Sequence, residues 1–116
     1  MKFCGIRRIF MTTNNEQYKT IGIFWDELSK KYGMENLRGL GYNWTSDSIE
    51  YVIGLKEGII DNYNFAIDLP DRGWLCVNGV TADLSKIYAD IYVDGPLKYE
   101  IEMFNNNGSC EIWYYR

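Results

Sequence analysis

WLCVNGVTADLSKIYADIYVDGPLKYEIEMFNNNGSCEIWYY, residues 74–115, changes its hydrophobic period twice. Trp74 to Asn78 has the alternation of a strand. Thr81 can then cap a helix, Ala82 to Tyr92, that puts Leu84, Ile87, Tyr88, Ile91 and Tyr92 on one face before Gly95-Pro96 stops it. Lys98 to Phe104 and Ser109 to Tyr115 return to strand period around Asn105-Asn106-Asn107-Gly108, which reads as a hairpin. The order is strand, helix, strand, strand.

The same order stands upstream. Phe3 to Phe10 is a strand, and Thr13 and Glu16 have capping-box spacing at the start of a helix running from Glu16 to Tyr32. That helix carries Tyr18, Ile21, Trp25, Leu28 and Tyr32 at three- and four-residue steps and is closed by Gly33. Leu37 to Trp44 and Glu50 to Leu55 follow as two strands around Thr45-Ser46-Asp47-Ser48. Between the halves, Glu57 to Asn62 is irregular, and Tyr63 to Leu69 reads as one more strand, paired with Trp74 to Asn78 around Pro70-Asp71-Arg72-Gly73. The expected fold is α+β: duplicated β-α-β-β units forming one antiparallel sheet, with both helices on one face and the other face open or curved into a cleft. Element order carries the duplication, since the halves share little sequence.

Composition narrows the function classes. At 116 residues, 1–116 is expected to be a single domain able to fold without staples. Histidine is absent, which removes the commonest general base and axial haem ligand, and Cys4, Cys76 and Cys110 have no metal-ligand spacing. No metal and no cofactor is expected. The odd, dispersed cysteines suit a reducing compartment, and no stretch resembles a signal peptide or a membrane span, so the chain reads as cytoplasmic. A net charge of −4, with only Arg7-Arg8 and Lys30-Lys31 as basic pairs, argues against direct nucleic-acid binding. Aromatic residues make up 16%, mostly Tyr and Trp, which suit surfaces that are apolar and hydrogen-bonding at once.

Strand alternation projects Glu111, Trp113 and Tyr115 to one face and Cys110, Ile112 and Tyr114 to the other. An acid between two aromatics is suited to an organic cation. Tyr42 and Trp44 are expected to share a strand face, as are Tyr51 and Ile53, offering rings on which a planar ligand can stack. Trp25 lies on the apolar stripe of the first helix and reads as core. Trp74 reads as core or as an entry-strand aromatic. Glu100 and Glu102 share a face with Phe104; paired acids at this spacing can do acid/base work or bind a hard cation, but here they read as solvated strand acids, and Gly39 and Gly41 are not a phosphate loop because a strand follows them.

Four segments in order, Gly22-Ile23-Phe24-Trp25-Asp26-Glu27-Leu28, Leu40-Gly41-Tyr42 with Glu50-Tyr51-Val52-Ile53-Gly54, Leu69-Pro70-Asp71-Arg72-Gly73-Trp74, and Cys110-Glu111-Ile112-Trp113, resemble the GyrI-like (gyrase-inhibitor-like) small-molecule-binding family. That family includes effector-binding domains of AraC-type and MerR-type multidrug-responsive transcription activators. The resemblance spans essentially the whole chain. It implies a ligand cleft between the halves, lined by aromatics, with a carboxylate facing cationic aromatic ligands, and Glu111 matches that acid, although Tyr114 stands where a Pro is usual. No segment remains for a helix-turn-helix, so a stand-alone binding domain is expected. Its ligand set is expected to be Glu111, Trp113, Tyr51, Tyr42, Trp25 and Trp74, holding a hydrophobic, planar, cationic or neutral small molecule for sensing or sequestration. The resemblance also implies two alternatives. One is a hydrolase of cyclopropane-containing alkylating compounds using Glu111 and Tyr51. The other is a protein-interaction module whose partner is a regulator or DNA gyrase.

Overall fold

Both halves build the same three-strand arrangement. The computed structural model describes residues 1–116, with strands β1 (Lys2–Met11), β2 (Leu37–Tyr42), β3 (Ser48–Leu55), β4 (Phe65–Asp68), β5 (Leu75–Val80), β6 (Tyr99–Phe104) and β7 (Ser109–Tyr115), and helices α1 (Gln17–Tyr32) and α2 (Leu84–Tyr92). One seven-stranded sheet has the order β4-β1-β3-β2-β6-β7-β5, and every pairing is antiparallel. Thus β1-β3-β2 and β5-β7-β6 are the same unit. They meet at β2 and β6, where Gly39 faces Glu102 and Gly41 faces Glu100.

Alternation assigns the two faces. Ile49, Tyr51, Ile53, Phe104 and Cys110 pack beneath Phe24, Trp25 and Leu28 of α1, with Leu84 and Ile87 of α2 against the same cluster. Ile112 joins Ile91 and Tyr88 of α2. Both helices therefore cover one face. The opposite face has its own smaller core of Phe3, Leu40, Val52, Leu69 and Ile101. No helix is long and apolar enough to cross a membrane.

The segment from Pro70 to Gly73 is not a hairpin turn. β4 pairs with β1 and β5 pairs with β7, so the two strands lie at opposite edges of the sheet. The physical consequence is curvature. Asp68 and Leu75 are seven residue steps apart and reach at most about 25 Å, whereas the edges of a flat seven-strand sheet stand about 29 Å apart. The sheet must curl, and because Leu69 and Trp74 pack into the helix-free core, it curls toward that face. β1 bends to allow this: its Ile6–Met11 half pairs with β3 and its Lys2–Gly5 half with β4. At the bend a Cβ on Gly5 would stand 2.2 Å from the Ile53 carbonyl oxygen, so only glycine fits.

The helix starts also differ from the sequence reading. Neither Thr13 nor Glu16 makes a capping side-chain bond, because Asn14 and Asn15 adopt left-handed φ of 55° and 58° and a 3-10 turn intervenes before α1. Thr81 does not cap α2, which begins at Leu84 after another 3-10 turn, and the Thr81 N–H donates to the Gly108 carbonyl at 2.8 Å. At the other end of α1, Gly33 (φ 83°) closes the helix as expected, its N–H donating to Ser29 at 2.9 Å.

Candidate ligand-binding site

Strand β6 turns Glu100, Glu102 and Phe104 toward the helices, and both carboxylates are buried. The expectation that they are solvated strand acids is overturned. The cause lies on the neighbouring strand, where Gly39 and Gly41 face them and supply no side chain, leaving room for neighbouring side chains at the joint between the halves. Tyr51 fills part of it. A Cβ on Gly39 would lie 2.1 Å from the Tyr51 hydroxyl and 2.8 Å from the Trp25 ring, and one on Gly41 would lie 2.9 Å from Glu100 Oε1.

A directed chain of hydrogen bonds runs through the joint. Trp25 Nε1–H donates to the Tyr51 oxygen at 2.9 Å, and the Tyr51 hydroxyl donates onward to Glu102 Oε1. From α2, the Tyr88 hydroxyl donates to Glu102 Oε2 at 2.8 Å. Glu102 is thus satisfied on both oxygens. Glu100 is not: its Oε2 is buried without a partner. A carboxylate oxygen enclosed in this way costs free energy when charged.

The electrostatics follow from those contacts. Burial pushes the Glu100 carboxyl well above the usual carboxylate range, the charge on Glu102 pushes it further, and the hydroxyls of Tyr88 and Tyr92 oppose both. Glu102 is also raised by burial, but Tyr51 and Tyr88 pull it back. Charge therefore rests better on Glu102, and the proton the pair retains rests better on Glu100. Burial first, then the charge on Glu102, hold the Tyr51 and Tyr88 phenols neutral as donors. Tyr92, its ring tilted against that of Tyr88 with centroids 6.2 Å apart, is exposed at the lip of the site.

Of the six residues expected from sequence to form one ligand set, only Trp25 and Tyr51 meet here. Glu111, Trp113, Tyr42 and Trp74 lie on the opposite face. Tyr51 shares the helix face with Cys110, so Glu111, one residue along β7, points the other way, and the backbone of the sheet separates the two. The Glu111–Tyr51 catalytic pair therefore does not form. Glu111 instead accepts the Trp113 indole N–H at 3.3 Å. Tyr42 and Trp44 do not share a face either. Asn43, at φ 54°, breaks the alternation and ends β2, leaving Tyr42 stacked on Phe65 on the concave face while Trp44 packs among the helix-side clusters. Trp74 stacks on Tyr99 and donates its indole N–H to the Pro70 carbonyl at 2.7 Å.

Glu100, Glu102, Tyr88 and Tyr92 were not in the expected set. Their signal was in the sequence, in two alternate acids on one strand and two alternate glycines on another, but only the β2–β6 register places one against the other. No family model matches the chain, and the comparisons with curated proteins and with solved structures return no match.

Proposed function

We propose that the chain binds a planar, hydrophobic cation non-covalently at the joint between its halves, with the Glu100–Glu102 pair as counter-charge, Glu100 giving up its proton as the cation enters, and Tyr88 and Tyr92 as aromatic walls. The observation that carries this reading is the buried, unpartnered Oε2 of Glu100. A ligand cation near 4 Å from it would gain about 4 kcal/mol at an effective dielectric near 20, before desolvation losses. Ring contacts add about 0.5 to 2 kcal/mol each. Entry requires Tyr92 to swing outward from the lip. The reading keeps the role that the GyrI-like resemblance implies, sensing or sequestering a small molecule, and moves the acid from Glu111 to the buried pair.

The test is a titration of the tryptophan fluorescence with a planar cationic dye and with a neutral dye of the same shape. Glu100→Gln keeps the volume and cannot ionise to meet the cation, so the cationic dye is expected to bind about tenfold more weakly, about 1.4 kcal/mol, while the neutral dye changes little. Unchanged affinity for the cationic dye would show that it does not meet Glu100, and this reading would fall.

A further inference from the structure

The concave face carries a hollow of about 400 Å³, separated from Glu100 and Glu102 by the sheet itself. Trp74, Trp113, Ile101 and Met103 give it an aromatic and apolar lining, and Arg38 and Arg72 bring positive charge. Its volume falls within the usual range for small-molecule sites, about 300 to 1,000 Å³.

Arg38 is the unusual member. Arg7, Arg8 and Arg116 each have a carboxylate within 4.0 Å, while Arg38, like Arg72 on the same wall, has none, in a chain whose net charge is −4. It is held flat, with its guanidinium carbon 4.4 Å from the Phe3 ring centre and one Nη2 hydrogen bonded to the Lys2 carbonyl at 3.2 Å. Its Nε–H is enclosed without an acceptor. The remaining Nη hydrogens are unspent. The acids nearby do not answer this charge: Asp71, on the wall of the hollow, is paired with the Met1 ammonium, and Glu111 accepts from Trp113. Arg38 also borders a neighbouring hollow of about 260 Å³ shared with Lys2 and Lys56, so positive potential extends on that side too.

We infer that this hollow is an organic-anion site that takes a planar aromatic carboxylate, its ring laid against Trp74 and Trp113 and its oxygens taking a forked pair of hydrogen bonds from the Nη atoms of Arg38. A guanidinium fixed by stacking matches a carboxylate in plane and spacing, and charge-assisted forks are among the stronger hydrogen bonds. The protein would then read ligands of opposite charge on opposite faces of one sheet.

The test uses 2-naphthoate, with the uncharged 2-naphthamide as control. In nitrogen-15 spectra of the intact chain, 2-naphthoate is expected to shift the indole signals of Trp74 and Trp113 and to leave those of Trp25 and Trp44. Arg38→Met should weaken 2-naphthoate at least tenfold and leave 2-naphthamide unchanged, and Glu100→Gln should leave 2-naphthoate binding intact. Shifts at Trp25 or Trp44 instead, no shifts at all, or equal losses for acid and amide would overturn the inference. Should Arg38→Met fail to fold, the wild-type indole shifts decide alone.

Discussion

Gly39→Ala is expected to remove about 3 to 4 kcal/mol of stability, a large share of the roughly 5 to 15 kcal/mol that holds a domain folded. The added methyl carbon would stand 2.1 Å from the Tyr51 hydroxyl, and that hydroxyl has nowhere to go. It is fixed by Trp25 on one side and Glu102 on the other, all three side chains being buried. Moving it breaks the donor chain and strips Glu102 of a proton donor; keeping it forces β2 and β3 out of register. Gly22→Ala supplies the control. Gly22 lies within α1, where an added methyl would meet nothing within 4 Å, so alanine there should stabilise by about 1 kcal/mol through helix propensity alone. Urea unfolding of both variants measures the contrast. A Gly39→Ala loss under about 1 kcal/mol would mean that Tyr51 moves freely and that the buried relay is not fixed.

The second large effect is on pH dependence. A carboxyl whose folded-state pKa is raised holds a proton that the unfolded chain releases near pH 4.5. Its contribution to stability is therefore complete below that value and is lost as pH rises through the folded pKa. Glu100, raised by burial and by Glu102, should make the protein progressively less stable as pH rises above about 5. Glu100→Gln imitates the protonated acid at every pH. The variant and the wild type should have similar stability at about pH 5, and the variant should be ahead by about 2 to 3 kcal/mol at about pH 9, on the scale expected for an enclosed and unpartnered charge. Comparing the two chains cancels the titrating groups remote from Glu100 and leaves its own ionisation and its coupling to Glu102. Melting curves that stay parallel across this range would show that Glu100 ionises without penalty.

The two β-α-β-β units were readable because each rests on local signals: the 3.6-residue stripe from Ile21 to Tyr32, the glycine stop at Gly33, and the Asn-Gly turn before β7. What failed needed distance. Pro70-Asp71-Arg72-Gly73 has the chemistry of a tight turn, yet it bridges the two edges of a curled sheet, and nothing local distinguishes those uses. Strand alternation placed Glu111, Trp113 and Tyr115 correctly on one side but could not say which side faces the helices. Extending the β2 alternation through Asn43 misplaced Trp44, because one left-handed residue reverses the facing of everything after it. Acids at 100 and 102 look like surface residues until glycines 39 and 41 are set against them across a register that joins the two halves of the chain.

That same register governs how the fold comes together. The hairpins β2–β3 and β6–β7 close short loops, Tyr42 against Glu50 and Phe104 against Cys110, while the β2–β6 pairing must bring together segments far apart in the chain. Closing the longer loop costs more entropy and comes later. The acidic joint therefore does not exist in either half alone; it forms when β2 meets β6 and two desolvating carboxylates are pressed against two glycines. Pulse-labelled hydrogen exchange should find amides of the two hairpins protected before those that bond β2 to β6, and simultaneous protection would contradict this order. A ligand that favours the closed joint would act as a clasp on assembly itself, binding the product of folding and of no earlier stage.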